Sequence, residues 1–273
     1  MLTNLVRNCI VVSLLVATSA CGKRTPGITD ARNLPFLNDQ QIARLANEHI
    51  FFGHQSVGSN IIEGIGDVMR TDPRLKLKIV TSSDPQTVPG PALVEFKIGQ
   101  NGSPRLKDEM FAAILDKGMG TQGGIVMYKY CYLDIDSSTD VPIMFATYRD
   151  RIKTLKAKYP ALKVVHITMP LTTVEPAPKA WIKGMLGRVT ARDLTVKRNH
   201  FNTLLKQTYA GVDPVFDLAE VESTYGDSSR SYFMRGNQKI YTLAPELTID
   251  GGHLNELGRR MAAERFLLFL ASL

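Results

Sequence analysis

The chain has 273 residues, a formal net charge of +7, 44% hydrophobic and 22% charged residues. That length and apolar content bury a full core without disulfides, which excludes a disordered chain and a cysteine-stapled scaffold. The positive excess is modest and carries no interleaved aromatic side chains, so no nucleic-acid partner is expected.

Residues 1–20 read as a secretory leader. Arg7 supplies the positive n-region, and Ile10 to Val16 is an apolar run too short to span a bilayer. Ala17-Thr18-Ser19-Ala20-Cys21 follows. Small residues immediately before a cysteine resemble the bacterial lipobox. The resemblance implies lipidation at Cys21 and an exported lipoprotein anchored to the envelope membrane. Gly22 lacks the Asp that often retains such proteins in an inner membrane, so the implied place in a Gram-negative cell is the periplasmic face of the outer membrane. Cys9 lies in the leader and Cys131 in a predicted core strand; an acylated Cys21 leaves Cys131 without a disulfide partner. Residues 21–37, with Pro26, Gly27 and Pro35, form a tether, and residues 38–273 form the expected domain.

Asn38 and Gln41 predict a capped helix through Asn47. Ile50-Phe51-Phe52 predicts the first strand, and Gly53-His54-Gln55-Ser56 a polar turn. From Val57, apolar residues at helical spacing end before Pro73. Leu75 to Val80 alternates like a strand. Thr81 to Gly102 reads as a long loop rich in Pro and Gly, and Ser103-Pro104 opens a helix to Lys117. Gly124 to Tyr132 is the most apolar strand, followed by a polar loop to Thr139. A helix from Val141 to Tyr159, a strand from Leu162 to Thr168 and a helix around Arg192 to Tyr209 come next. Lys179 to Arg198 is the densest basic stretch. It reads as a solvated helix face, or as a surface attracting an anionic glycan or lipid head groups. A short strand at Pro214 to Leu218 and a hairpin turned at Gly236-Asn237 precede an amphipathic helix, Leu254 to Leu270. The alternation predicts an α/β fold, with a mostly parallel sheet between helical layers. No paired Cys or His spacing suggests a metal. No G-x-G-x-x-G follows the first strand and no Walker A sequence occurs, so no cofactor is expected.

Ser56 is the candidate nucleophile, because a turn after a strand of an open parallel sheet faces the ligand-binding edge. A serine hydroxyl needs a base, usually histidine. His253 stands in the loop before the last helix. Asp250, three residues earlier, is placed to accept its Nδ1 proton and leave Nε2 for Ser56. Each has a simpler explanation: Ser56 as a helix N-cap, Asp250 as a cap for the final helix, His253 as a surface residue.

The combination resembles the SGNH/GDSL hydrolases, which carry a serine directly after the first strand and an Asp-x-x-His near the C-terminus. Asp250-Gly251-Gly252-His253 fits the second pattern without gaps. Gly53-His54-Gln55-Ser56 departs from Gly-Asp-Ser, and Tyr130-Cys131-Tyr132-Leu133-Asp134 stands where the family has Gly-x-Asn-Asp. The resemblance implies a three-layer, flavodoxin-like α/β/α architecture and a serine esterase acting by acyl transfer. It implies an oxyanion hole drawn from Gly99 or Gly102, with Asn101 supplying the missing amide. The expected substrate is an acylated small molecule or glycan. Two alternatives stand beside hydrolysis: a non-catalytic envelope lipoprotein binding a glycan or protein, and an O-acyltransferase using the same residues. His54 has no assigned role.

Overall fold

A computed structural model describes residues 37–175 and 189–273. The leader, Cys21, nearly all of the tether and residues 176–188 of the basic stretch lie outside the described residues. No helix among the described residues is long and apolar enough to cross a membrane.

Helix α1 (Asp39–Asn47) begins with the reciprocal Asn38–Gln41 capping box, each side chain bonding the other's backbone N–H at 2.9 Å. Strand β1 (His49–His54) leads through one residue into α2 (Ser56–Thr71). Then come β2 (Ile79–Thr81), β3 (Ala92–Lys97), α3 (Pro104–Ile114), the short α4 (Gly120–Gln122), β4 (Gly124–Tyr128), α5 (Val141–Lys158) and β5 (Leu162–Ile167). The chain continues with α6 (Ala191–Tyr209), β6 (Val215–Phe216), α7 (Leu218–Ser223), the hairpin β7 (Tyr232–Arg235) and β8 (Gln238–Tyr241), and α8 (Glu256–Ala271).

Six strands form one parallel sheet in the order β2-β3-β1-β4-β5-β6. Without the edge strand β2, this is the flavodoxin-like order. The chain reverses direction across the sheet between β1 and β4, and such switch points open a crevice at the carboxyl ends of the strands. β1 alternates its side chains between the two faces, as a strand must. Ile50 and Phe52 join a core with Ile61, Ile65, Phe266 and Leu270 from α2 and α8. Phe51 joins the opposite core with Phe111, Phe145 and Phe201 from α3, α5 and α6. The result is a three-layer α/β/α domain, as expected.

Two expectations are corrected. The stretch Thr81–Gly102 is no continuous loop: β3 lies inside it and pairs along the whole of β1. Pro89, Gly90 and Pro91 hide a strand whose Leu93, Val94 and Phe96 are buried. Leu75 and Leu77 are buried, but the strand expected over Leu75 to Val80 is confined to β2.

The closest helix pairing in the layer over Phe52 is α2 on α8. A Cβ added to Gly64 would lie 2.2 Å from the Arg259 carbonyl oxygen. Gly64→Ala is therefore expected to push the two helices apart. The clash should outweigh the ~1 kcal/mol of added helix propensity and cost a net 1–3 kcal/mol or so. A urea unfolding midpoint checks this; an unchanged midpoint would show that the contact yields.

Candidate active site

Ser56 is the first residue of α2, not its cap. Gln55 occupies the N-cap position and makes no side-chain capping bond. The first backbone bond runs from Ser59 N–H to Gln55 O at 3.1 Å, which leaves the N–H groups of Ser56, Val57 and Gly58 without an intrahelical acceptor. The Ser56 hydroxyl, half-buried, makes no hydrogen bond among the described residues. Capping therefore does not explain this serine. Unpaired N–H groups and the positive end of the helix dipole surround it instead.

The Gln55 side chain reaches across the crevice. Its Nε2 donates to Ile98 O at 2.7 Å and to Gly99 O at 3.1 Å, tying the β1–α2 turn to the loop after β3. His54, fully buried at the end of β1, donates from Nδ1 to Gln55 O at 2.9 Å. Its Nε2 lies 2.9 Å from Glu95 Oε2, close in distance but off the line of a good hydrogen bond. Burial pushes the imidazole pKa down, and the Glu95 carboxylate pushes it up. Gly58 lets α2 settle on this ring, for a Cβ there would lie 2.2 Å from His54 Cβ. His54 thus supports the turn from below.

His253 stands over the same helix. Its Nδ1 donates to Asp250 Oδ2 at 2.6 Å. Asp250 Oδ1 accepts the backbone N–H groups of Gly252 at 2.9 Å and His253 at 2.8 Å. The His253 backbone N–H, its ring and then the Gly252 N–H hold the Asp250 carboxyl far below the usual carboxylate range. α8 is capped by Asn255, so Asp250 is free of that duty. A depressed carboxylate contributes fully above its unfolded value of about 3.9 and loses its contribution only as pH falls below that. Asp250 should therefore hold the His253 loop unchanged between pH 5 and pH 8 or so, checked by hydrogen exchange of the Gly252 and His253 amides.

The loop is pinned from two sides. Leu254 N–H donates to Asn60 Oδ1 at 3.1 Å. Asn60 is one helical turn beyond Ser56, on the same face of α2. From the loop after β5, Thr173 N–H donates to Gly251 O at 2.9 Å. Gly251 has φ 86°, and a Cβ there would lie 2.5 Å from Thr173 Oγ1. The loop's position comes from these docking bonds, since the hairpin and α7 separate it from the last strand of the sheet. The other histidines are committed elsewhere: His166 is stacked on Tyr209 with ring centroids 3.6 Å apart, His49 opens β1 and His200 is on the outer surface of α6.

The expected oxyanion donors need correction. Gly99 N–H is spent on Met110 Sδ at 3.2 Å, and Gly102 N–H on Asp134 Oδ1 at 2.8 Å. Asn101 between them is exposed, and its side chain makes no hydrogen bond among the described residues. The open backbone donors are those at the start of α2.

Sequence reasoning missed the residues that frame the far side. Asp134 holds three elements at once: the buried Lys107 ammonium of α3 sits against both its oxygens, Cys131 N–H donates to it at 2.7 Å, and Gly102 N–H completes the set. This fixes the turn that carries Tyr132. Arg198 of α6, read from sequence as part of a solvated face, is buried and donates from Nε to Tyr132 O at 3.0 Å. Tyr132 Oη lies 3.5 Å from His253 Nε2, with the rings edge to face. Burial raises the Tyr132 phenol pKa, so it stays a neutral donor. Behind the turn, Lys129 Nζ and Glu222 Oε1 are buried without hydrogen-bond partners among the described residues; burial pushes the lysine down and the glutamate up. The only signal for Tyr132 was a phenol two residues ahead of an aspartate at the end of a central strand. Beyond Gly102 and Leu133 a cleft of about 340 Å³ opens toward Asp108 and α5.

No family model matches the chain, and no curated protein matches it in sequence. Solved structures resemble it in shape. A candidate platelet activating factor from Streptococcus pneumonia is 14% identical with TM-score 0.49, covering 85% of this chain and 91% of its own. The periplasmic domain of a lipopolysaccharide acetyltransferase from Salmonella Paratyphi A is 10% identical with TM-score 0.43, covering 80% and 81%. A carbohydrate acetylesterase from Sinorhizobium meliloti is 12% identical with TM-score 0.40, covering 82% and 99%. These are likenesses of shape; the chemistry is argued from the residues themselves.

On the ester-hydrolase reading proposed below, Asp250→Asn is expected to leave the fold intact and lower kcat by roughly three to four orders of magnitude. An amide cannot hold Nδ1–H as a carboxylate does, and the imidazolium loses its counter-charge. Steady-state kinetics beside a thermal melt checks both halves.

Proposed function

We propose that this protein is a serine ester hydrolase. Ser56 attacks the ester carbonyl, His253 takes and returns the proton through Nε2, and Asp250 orients and stabilises the imidazolium. One observation carries this reading: the loop of an Asp250–His253 pair joined at Nδ1 by a 2.6 Å bond is docked, through Leu254 N–H, on Asn60, one turn along the helix that begins with a Ser56 hydroxyl making no hydrogen bond among the described residues. The N–H groups of Ser56, Val57 and Gly58 are the natural donors to a developing oxyanion. Spacing and position resemble the SGNH/GDSL hydrolases. The leader and Cys21 support an envelope lipoprotein, and the substrate class is an acylated small molecule or glycan.

A fluorophosphonate probe tests this. It should label Ser56 in the folded protein, read by peptide mass spectrometry, and His253→Ala should lose the label. An unlabelled native protein would overturn the reading and leave a binding protein in its place.

A further inference from the structure

We infer that Tyr132 hydrogen-bonds the leaving-group oxygen of the substrate, which fits the site to esters of poor leaving groups such as alkyl and sugar alcohols. This rests on the ester-hydrolase reading above.

His253 Nδ1 is committed to Asp250, so Nε2 is the working nitrogen. Tyr132 Oη is 3.5 Å from that nitrogen. This is longer than a well-formed hydrogen bond, so the phenol does not cap Nε2. Two atoms so spaced can both reach one oxygen lying between them, each at ~2.8 Å. Once Ser56 Oγ has given up its proton, the oxygen that meets Nε2 is the alcohol oxygen on its way out, and then the water oxygen on its way in.

The phenol is held for that position. Arg198 grips its backbone carbonyl, and Asp134 staples its turn to α3 and to the loop after β3. Gly252 gives it room, for a Cβ there would lie 3.0 Å from the phenol oxygen. Apart from the long contact to Nε2, the Tyr132 hydroxyl has no hydrogen-bond partner among the described residues, so its O–H is free to turn toward substrate.

The chemistry balances without a further reactant. Ser56 Oγ bonds to the carbonyl carbon, and its proton passes to Nε2. When the tetrahedral intermediate collapses, the bond from carbon to the alcohol oxygen breaks and its electron pair goes to that oxygen. The Nε2 proton follows it. Tyr132 donates a hydrogen bond to the oxygen as the charge builds and keeps its own proton. Water then enters the same position and gives a proton to Nε2 as its oxygen bonds to the carbonyl carbon. The bond from that carbon to Ser56 Oγ breaks, its electron pair goes to Oγ, and the Nε2 proton follows it there as the carboxylic acid leaves. A phenolate that leaves readily gains little from such a donor; an alkoxide gains much.

The test is Tyr132→Phe, which keeps the ring against His253 and Arg198, assayed by kcat/KM on p-nitrophenyl acetate and on methyl acetate. The expected result is a fall of about 10–100-fold on methyl acetate, the worth of one hydrogen bond to a charged oxygen, and less than ~3-fold on p-nitrophenyl acetate. Equal losses on both esters would mean that Tyr132 only steadies His253, and would overturn the inference while leaving the hydrolase reading intact. No loss on either overturns it as well. A wild-type protein that takes no fluorophosphonate label and turns over neither ester fails both readings together.

Discussion

Ser56→Ala is expected to leave the protein folded and to lower ester turnover by about five to six orders of magnitude, to a residue of catalysis that needs no nucleophile. The fold should tolerate the change because the Ser56 hydroxyl bonds nothing and Gln55 holds the capping position. If Ser56 were a structural residue, the alanine variant would lose stability and keep activity, so a thermal melt and a rate assay on the same sample separate the two. The companion variant sharpens this. His253→Ala should cost about as much, and Ser56→Ala/His253→Ala little more than either alone, since the two act on one proton. Additive losses would mean that the residues serve different steps.

The second large effect is on stability. Lys107 and Asp134 have fully buried side chains and form an ion pair between α3 and the Cys131–Asp134 turn. Lys107→Met is expected to cost about 3–5 kcal/mol, because it strands a buried carboxylate whose remaining partners are two backbone N–H groups. In a domain of this size that is a fall of about 10 °C in Tm. Lys107→Met/Asp134→Leu should recover part of the loss, since no charge is then left buried alone. Differential scanning calorimetry of the two variants decides it; a double variant less stable than the single would show that Asp134 stabilises through its bonds to the Gly102 and Cys131 N–H groups even without Lys107. Activity should fall in both, because the turn holding Tyr132 loses its staple.

What could be read from the chain was what the chain decides locally. The Asn38–Gln41 cap, the hairpin turn at Gly236-Asn237 and the Asp250–His253 pair each join residues only a few positions apart, and each formed as expected. Features decided by distant partners were not legible. β3 was missed because its pattern is short and flanked by Pro91 and Gly99, while its place is set by pairing with β1. The glycines of the loop after β3 were identified, but Met110 and Asp134 decide whether their N–H groups are free. Arg198 looked like surface because helical spacing does not say what a helix lies against. Lys129, inside the most apolar stretch, gave no sign that its amine would be buried without a hydrogen-bond partner.

The bond from Leu254 to Asn60 joins positions 194 apart. On the ester-hydrolase reading, it means that the proposed nucleophile is made early and its base late. During synthesis, a chain that has emerged as far as the hairpin carries Ser56 without His253. On that reading, activity waits for α8 to dock on α2 through Gly64. An interrupted copy then has no activity, and the appearance of activity marks the moment at which the domain has closed.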